Sequence, residues 1–257
     1  MNHFQLTFPF TIEICATKIL WHAVLETLGL FAGFRYFLYI RKKRKDIIPD
    51  SNRIWILIGA IFGAVLGSRL IGGLENPAEM VRSTNILIYF YENKTVVGGF
   101  LGGLIGVELV KKVIGERQKT GDLFTYPMIL GLIIGRIGCF SMGVYEETYG
   151  ISSSLPWAMN LGDGILRHPV ALYEILFLTG TWIALVSIER NHLLADGAKF
   201  KIFMIAYLSF RFALDFIKPH YTFPIGLSTI EITCVAGLIY YAPFIIDPTR
   251  LLMPTTT

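Results

Sequence analysis

Residues Ile54–Leu74 read IWILIGAIFGAVLGSRLIGGL, an apolar block whose only charge is Arg69. A helix of about 20 apolar residues crosses roughly 30 Å of hydrocarbon. Blocks of this kind recur along the chain, which explains how 53% hydrophobic and 16% charged residues coexist in 257 residues, where a water-soluble domain carries about 25% charged. Seven spans are predicted: Ile19–Ile40, Ile54–Leu74, Thr95–Ile114, Leu123–Gly143, Pro169–Ile188, Phe200–Phe216 and Gly226–Ile246. Such a chain satisfies its backbone inside helices, so the expected fold class is an all-α membrane protein, with residues 1–257 forming a single polytopic domain. The connections are expected to be short except Val144–His168, which is too polar and too rich in Gly, Ser and Pro to span.

The basic residues orient the expected bundle. Arg41, Lys42, Lys43, Arg44, Lys45, Arg53, Lys111, Lys112, Arg117, Lys119, Arg190, Lys199, Lys201 and Arg250 fall on one side, against Lys18, Arg82, Lys94, Arg167 and Lys218 on the other. The richer side is expected to be cytoplasmic, with the N-terminus and segment 144–168 outside. The net charge of +4 therefore reads as topology, and no nucleic-acid partner is expected. The first ten residues carry no Lys or Arg, so a cleavable signal peptide is not expected. Cys15, Cys139 and Cys234 show no CxxC or CxxH spacing, which argues against a metal site or a disulfide framework.

Charged residues inside apolar blocks are the candidates for chemistry. Arg136 stands in Gly135-Arg136-Ile137-Gly138-Cys139, near the outer end of the fourth span. It either snorkels to the interface or holds a phosphate by two parallel hydrogen bonds. Tyr207, Arg211 and Asp215 are four apart and share one face of the sixth span. Asp215 is positioned to neutralise Arg211; alternatively Arg211 joins Arg136 in an anion site. His22 and Glu26 in the first span are spaced as a proton acceptor and its orienter, although Glu26 alternatively holds another buried group. Glu174, a turn into the fifth span, requires a partner such as an arginine. His168, ahead of Pro169, reads as a helix-start residue or as a base. Glycines at spacing four, Gly59, Gly63, Gly67 and Gly98, Gly102, Gly106, read as close helix packing or as slim walls admitting a lipid tail. No GxSxG, HExxH or P-loop pattern occurs, which removes the common soluble-hydrolase and ATPase readings.

Five runs together resemble the bacterial prolipoprotein diacylglyceryl transferases: Gly135-Arg136-Ile137-Gly138-Cys139-Phe140, Glu147-Thr-Tyr-Gly150, Leu155-Pro156-Trp157-Ala158-Met159, Arg167-His168-Pro169 with Leu172-Tyr173-Glu174, and Tyr207 with Arg211-Phe212 and Asp215-Phe216. The similarity extends from Trp21 to Ser228. It implies a seven-span enzyme of the bacterial inner membrane that moves diacylglyceryl from phosphatidylglycerol to the lipobox cysteine thiol of a preprolipoprotein, releasing glycerol phosphate. No cofactor and no metal are implied. The partners implied are phosphatidylglycerol, the preprolipoprotein signal peptide and membrane lipids.

The resemblance carries the family's two essential arginines onto Arg136 and Arg211, and its tyrosine onto Tyr207. The catalytic residues expected are Arg136, Arg211, His22 and His168. The substrate-binding set is Arg136, Arg211, Tyr207, Glu174, Cys139, Gly98, Gly99, Gly150 and Arg69. The chain departs from the family pattern in several places. Cys139 stands for an Asn, Val97 for the His of His-Gly-Gly, His22 for a Tyr and Asp215 for a Glu, and about three extra residues lie between Phe140 and Glu147. These departures keep open an alternative: a non-catalytic lipid-binding or lipid-moving protein on the same scaffold. A small-solute transporter is a weaker reading, because no internal repeat is visible.

Overall fold

The computed structural model describes residues 7–14, 17–44 and 46–253. Cys15 and Lys45 lie outside the described residues. Among these residues seven long helices alternate in direction: α1 (Trp21–Arg44), α2 (Asp50–Gly73), α5 (Val96–Ile114), α6 (Asp122–Met142), α7 (Val170–Asn191), α8 (Ala198–Asp215) and α9 (Thr229–Ile246). Each of the seven blocks read from the sequence is one of these helices, with edges shifted by a few residues. Five of them, α1, α2, α6, α7 and α9, are long and apolar enough to cross a membrane. The other two carry more charge: Glu108, Lys111 and Lys112 on α5, and Lys199, Lys201, Arg211 and Asp215 on α8. The chain is thus an all-α, multi-pass membrane protein. Bulky apolar side chains such as Phe31, Phe62, Leu87 and Leu176 are exposed on its outer surface, where lipid replaces water.

Small residues set the packing. An added Cβ at Gly63 would lie 2.3 Å from the Gly102 carbonyl oxygen, and one at Gly67 2.3 Å from that of Gly98. The glycine stripes of α2 and α5 are therefore a backbone-to-backbone seam. Helices α1 and α6 meet the same way, with Gly29 against the Gly131 carbonyl. At the centre of the bundle lies α8, whose Phe203, Met204, Tyr207 and Leu208 are fully buried.

One connection is more structured than the short loop expected. Between α2 and α5 run two short helices, α3 (Pro77–Arg82) and α4 (Ile86–Glu92). The Asn76 side chain caps α3 by accepting from the Glu79 amide, with Pro77 opening the first turn, and Asn85 caps α4 by accepting from the Leu87 and Ile88 amides. A hairpin of β1 (Thr11–Ile14) and β2 (Thr17–Leu20) precedes α1. Segment 144–168 carries a two-residue pairing of β3 (Met159–Asn160) with β4 (Leu166–Arg167). The hairpin leads into α1 at the bundle end where α2, α6 and α8 finish and α5, α7 and α9 begin. Segment 144–168 and the short helices α3 and α4 link helices at that same end.

Candidate active site

At that end two arginines converge on one carboxylate. Arg136, near the end of α6, places Nε 2.9 Å from Glu174 Oε2. Arg211 of α8 donates from Nη1 to the same oxygen at 3.3 Å. The hydroxyl of Tyr207, one turn before Arg211, donates to Glu174 Oε1 at 2.7 Å. Glu174 is 1% exposed and Arg211 5%, so the group sits deep among the helices. Two guanidinium charges share one carboxylate charge, and the surplus is one positive charge. Arg136 Nε, although close to Glu174, is out of line for a hydrogen bond, and Arg211 Nε has no protein acceptor. Unfilled donors on two converging guanidiniums suit an anion with several oxygens.

The local pairing of Arg211 with Asp215 is not the arrangement adopted. The Asp215 carboxylate accepts from the Ser228 hydroxyl at 2.5 Å. Ser228 also caps α9, accepting from the Glu231 amide, while the Glu231 side chain returns to the Ser228 amide. This capping box draws Asp215 toward α9 and leaves Arg211 to Glu174.

Both arginines and Glu174 line a cavity of about 1110 Å³ running between the helices. Its wall includes Gly99, Gly103 and Gly135, and reaches Lys111, Lys119 and Phe244 at the opposite end of the bundle. Nothing lies within 4 Å of where a Gly135 Cβ would be, so the wall beside Arg136 is open. Arg69 also lines it, with its guanidinium 4.9 Å from the centre of the Tyr91 ring. Glu75 and Lys218 line the cavity as well. Burial pushes the Glu75 carboxyl up and the Lys218 ammonium down, and the Arg211 charge adds to the second effect.

His22 lines the same cavity and lies among carboxylates. Its Nε2 is 3.4 Å from Glu26 and its Nδ1 3.1 Å from Glu146. Lys94 donates to Glu26 at 2.9 Å. Cys139 accepts from Arg136 Nη1 at 3.5 Å. His168 is placed differently: its Nδ1 is 3.1 Å from the Tyr173 hydroxyl, which also accepts from Trp157 Nε1 at 2.8 Å. His168, Gly98 and Gly150 are not part of the cavity wall. Gly98 belongs to the α2–α5 seam, and Gly150 packs on His168, where an added Cβ would lie 2.5 Å from the His168 Cβ.

A family model described as prolipoprotein diacylglyceryl transferase matches residues 9–246. The chain belongs to this family. Among its relatives is a phosphatidylglycerol–prolipoprotein diacylglyceryl transferase of Bordetella bronchiseptica, 33% identical over 227 residues that cover 82% of each chain. That of Finegoldia magna is 27% identical over 237 residues, covering 88% of this chain and 90% of its own. That of Campylobacter hominis is 28% identical over 251 residues, covering 90% and 87%. Glu75 and Glu146 are among the cavity residues that sequence reasoning passed over. The signal for Glu146 was its place just before the Glu147-Thr-Tyr-Gly150 run.

Proposed function

We propose that this protein transfers the diacylglyceryl group of phosphatidylglycerol to the lipobox cysteine thiol of preprolipoproteins, at the outer face of the bacterial inner membrane. The names of its relatives give the donor lipid and the acceptor protein. The observation that carries the reading is the pair of arginines from α6 and α8 sharing the single Glu174 in a cavity open enough for a lipid. All seven long helices span, with the N-terminus outside and the C-terminus cytoplasmic. In support, Arg44, Lys111, Lys112, Lys119, Arg190, Lys199 and Lys201 cluster at the end away from the site.

In the reaction the acceptor sulfur attacks the phosphate-bearing carbon of the diacylated glycerol. A C–S bond forms as the C–O bond to phosphate breaks, and the electron pair leaves on the phosphate oxygen of glycerol phosphate. Arg136 and Arg211 hold the phosphate and meet the negative charge that grows on it. Glu174 and Tyr207 hold the guanidiniums in place. The thiol loses its proton near its ordinary pKa of about 8.5, so the base has little to do. His22 lies on the cavity wall and His168 does not.

The test uses purified protein, phosphatidylglycerol vesicles and a lipobox peptide. Glycerol phosphate release should accompany a gain of one diacylglyceryl mass on the peptide. Arg136→Ala and Arg211→Ala should each lower the rate by about 10²–10³-fold, the loss seen when one such charge-stabilising donor is removed. Full activity in both variants would overturn the role of the arginines. Lipid uptake without glycerol phosphate release would favour the lipid-moving alternative.

A further inference from the structure

Three side chains with metal-ligating atoms, drawn from separate segments, meet in space. His22 lies in the first turn of α1, Cys139 near the end of α6, and Glu146 in segment 144–168 that follows it. One ligand atom from each lies within 4.8 Å of the other two, at the wall of the cavity that holds Arg136. We propose that His22, Cys139 and Glu146 form a zinc site whose fourth position takes the thiolate of the incoming acceptor. This rests on the diacylglyceryl-transfer reading above.

The geometry suits coordination. His22 Nδ1 is buried and 3.1 Å from Glu146 Oε2, yet it makes no in-line hydrogen bond with that oxygen. Two ligands on one tetrahedral ion stand in that relation: with Zn–N and Zn–O bonds of about 2.0–2.1 Å, the edge between them is about 3.3 Å. The other ring nitrogen, Nε2, faces Glu26 at 3.4 Å, and Lys94 fixes Glu26 at 2.9 Å. A carboxylate behind a ligating histidine is the usual way its ring is oriented and its tautomer fixed. The donor set of imidazole, thiolate and carboxylate suits zinc and does not suit magnesium or calcium, which take oxygen ligands. Three protein ligands with one open position is the arrangement of a catalytic zinc.

Charge also balances. Zinc held by one thiolate, one carboxylate and an imidazole carries no net charge, and Arg136 Nη1 donates to Cys139 Sγ at 3.5 Å. The acceptor thiol deprotonates outright on binding zinc, its proton passing to water. Its sulfur then forms the C–S bond, and the electron pair of the breaking C–O bond leaves on the phosphate held by Arg136 and Arg211. In a second group of candidate ligands, Asp215 and Glu231 are engaged with Ser228 at the α9 cap, and His220 Nδ1 lies 2.8 Å from the Lys218 carbonyl oxygen.

The experiment measures metal before activity. Full-length protein purified in detergent should hold zinc in equimolar amount by elemental analysis. Replacing it with cobalt should give a near-ultraviolet thiolate-to-cobalt charge-transfer absorption. Cys139→Ser should abolish that absorption, and Glu26→Gln should weaken zinc affinity by about 10–100-fold, the loss typical of removing the carboxylate behind a ligating histidine. Chelated protein should lose transfer and regain it with zinc. Wild-type protein without equimolar zinc or cobalt uptake, or with transfer unchanged after chelation, overturns the site whatever the variants do. Arg136→Ala should keep the metal while losing transfer. Zinc bound by a protein that releases no glycerol phosphate from phosphatidylglycerol would sink the transfer reading and leave the metal site standing.

Discussion

The two ends of the bundle each bury a carboxylate between two arginines, and they balance the charge differently. Away from the site, Asp46 accepts from both Nε and Nη2 of Arg53 and from Arg41 Nε, while Asp50 takes Arg41 Nη2. Two arginine charges meet two aspartate charges; Arg53 Nη1 has no protein acceptor, and its guanidinium lies against the Phe124 ring. At the site, Arg136 and Arg211 meet Glu174 alone. The first arrangement ties α1 to α2 and has no charge to offer. The second holds two guanidiniums apart and leaves one positive charge facing a cavity. Between these two arginine clusters, the count of carboxylates separates a structural clamp from a binding site.

The sharpest way to break this comparison is to remove each bridging carboxylate without changing its shape. Glu174→Gln leaves two guanidiniums buried with no counter-charge. Breaking a buried pair by removing one partner costs about 3–5 kcal/mol, so a thermal-shift measurement should show a large drop that anionic lipid partly restores. Transfer should fall about 10²-fold, because the arginines lose the group that aims them. A variant as stable and as active as the wild type would mean Glu174 positions nothing.

Asp46→Asn is the matching change at the other end. The Asp46 side chain is 7% exposed against 1% for Glu174, and Asp50 still compensates Arg41. The expected loss is therefore smaller, about 3 kcal/mol, with transfer per folded molecule unchanged. Burial opposes ionisation of Asp46, but the hydrogen bonds and charges of Arg53 and Arg41 prevail and hold its carboxyl below the usual value. A carboxyl depressed in the folded state stabilises above its unfolded pKa and loses that contribution as pH falls through the folded one. The stability gap between wild type and Asp46→Asn should hold at neutral pH and close as pH drops below about 4. A gap that is constant with pH would show that the lost term is packing and not charge.

How much of this was readable beforehand follows from range along the chain. The seven apolar blocks were legible because about 20 apolar residues have few other fates. Arg136, Arg211 and Glu174 were legible as chemistry because a charge in such a block requires a reason. The sharing of one carboxylate was not, because Glu174 is 38 residues from Arg136 and 37 from Arg211, and only packing decides which pairs meet. Spacing along α8 pointed to Asp215 as the local partner of Arg211, and a capping box on the next helix drew it away. The short helices α3 and α4 are too brief to show a periodicity and were marked only by Asn76, Pro77 and Asn85. The approach of His22, Cys139 and Glu146 was the least legible, since the absence of CxxC or CxxH spacing says nothing about ligands drawn from separate segments.

The smallest effect expected, and the finest test of the contrast, concerns two tyrosines. Tyr207 donates to Glu174 and Tyr126 donates to Glu189. Glu189 is further held by Lys199 at 2.8 Å and by Arg44 at 3.2 Å, so losing one hydroxyl leaves it well supplied. Glu174 Oε1 accepts from Tyr207 alone among the described residues. Tyr207→Phe keeps the ring packed against Phe100 and Phe203 while removing that donor. An unsatisfied buried acceptor costs about 1–3 kcal/mol. Here the freed oxygen can turn toward an arginine, which recovers part of that and shifts the guanidinium the reaction needs. Tyr207→Phe should therefore lower kcat about tenfold, equivalent to about 1.4 kcal/mol, with KM for phosphatidylglycerol little changed. Tyr126→Phe should change neither. Equal losses in the two variants would mean that both hydroxyls serve only the fold, and the site end would lose its distinction from the clamp.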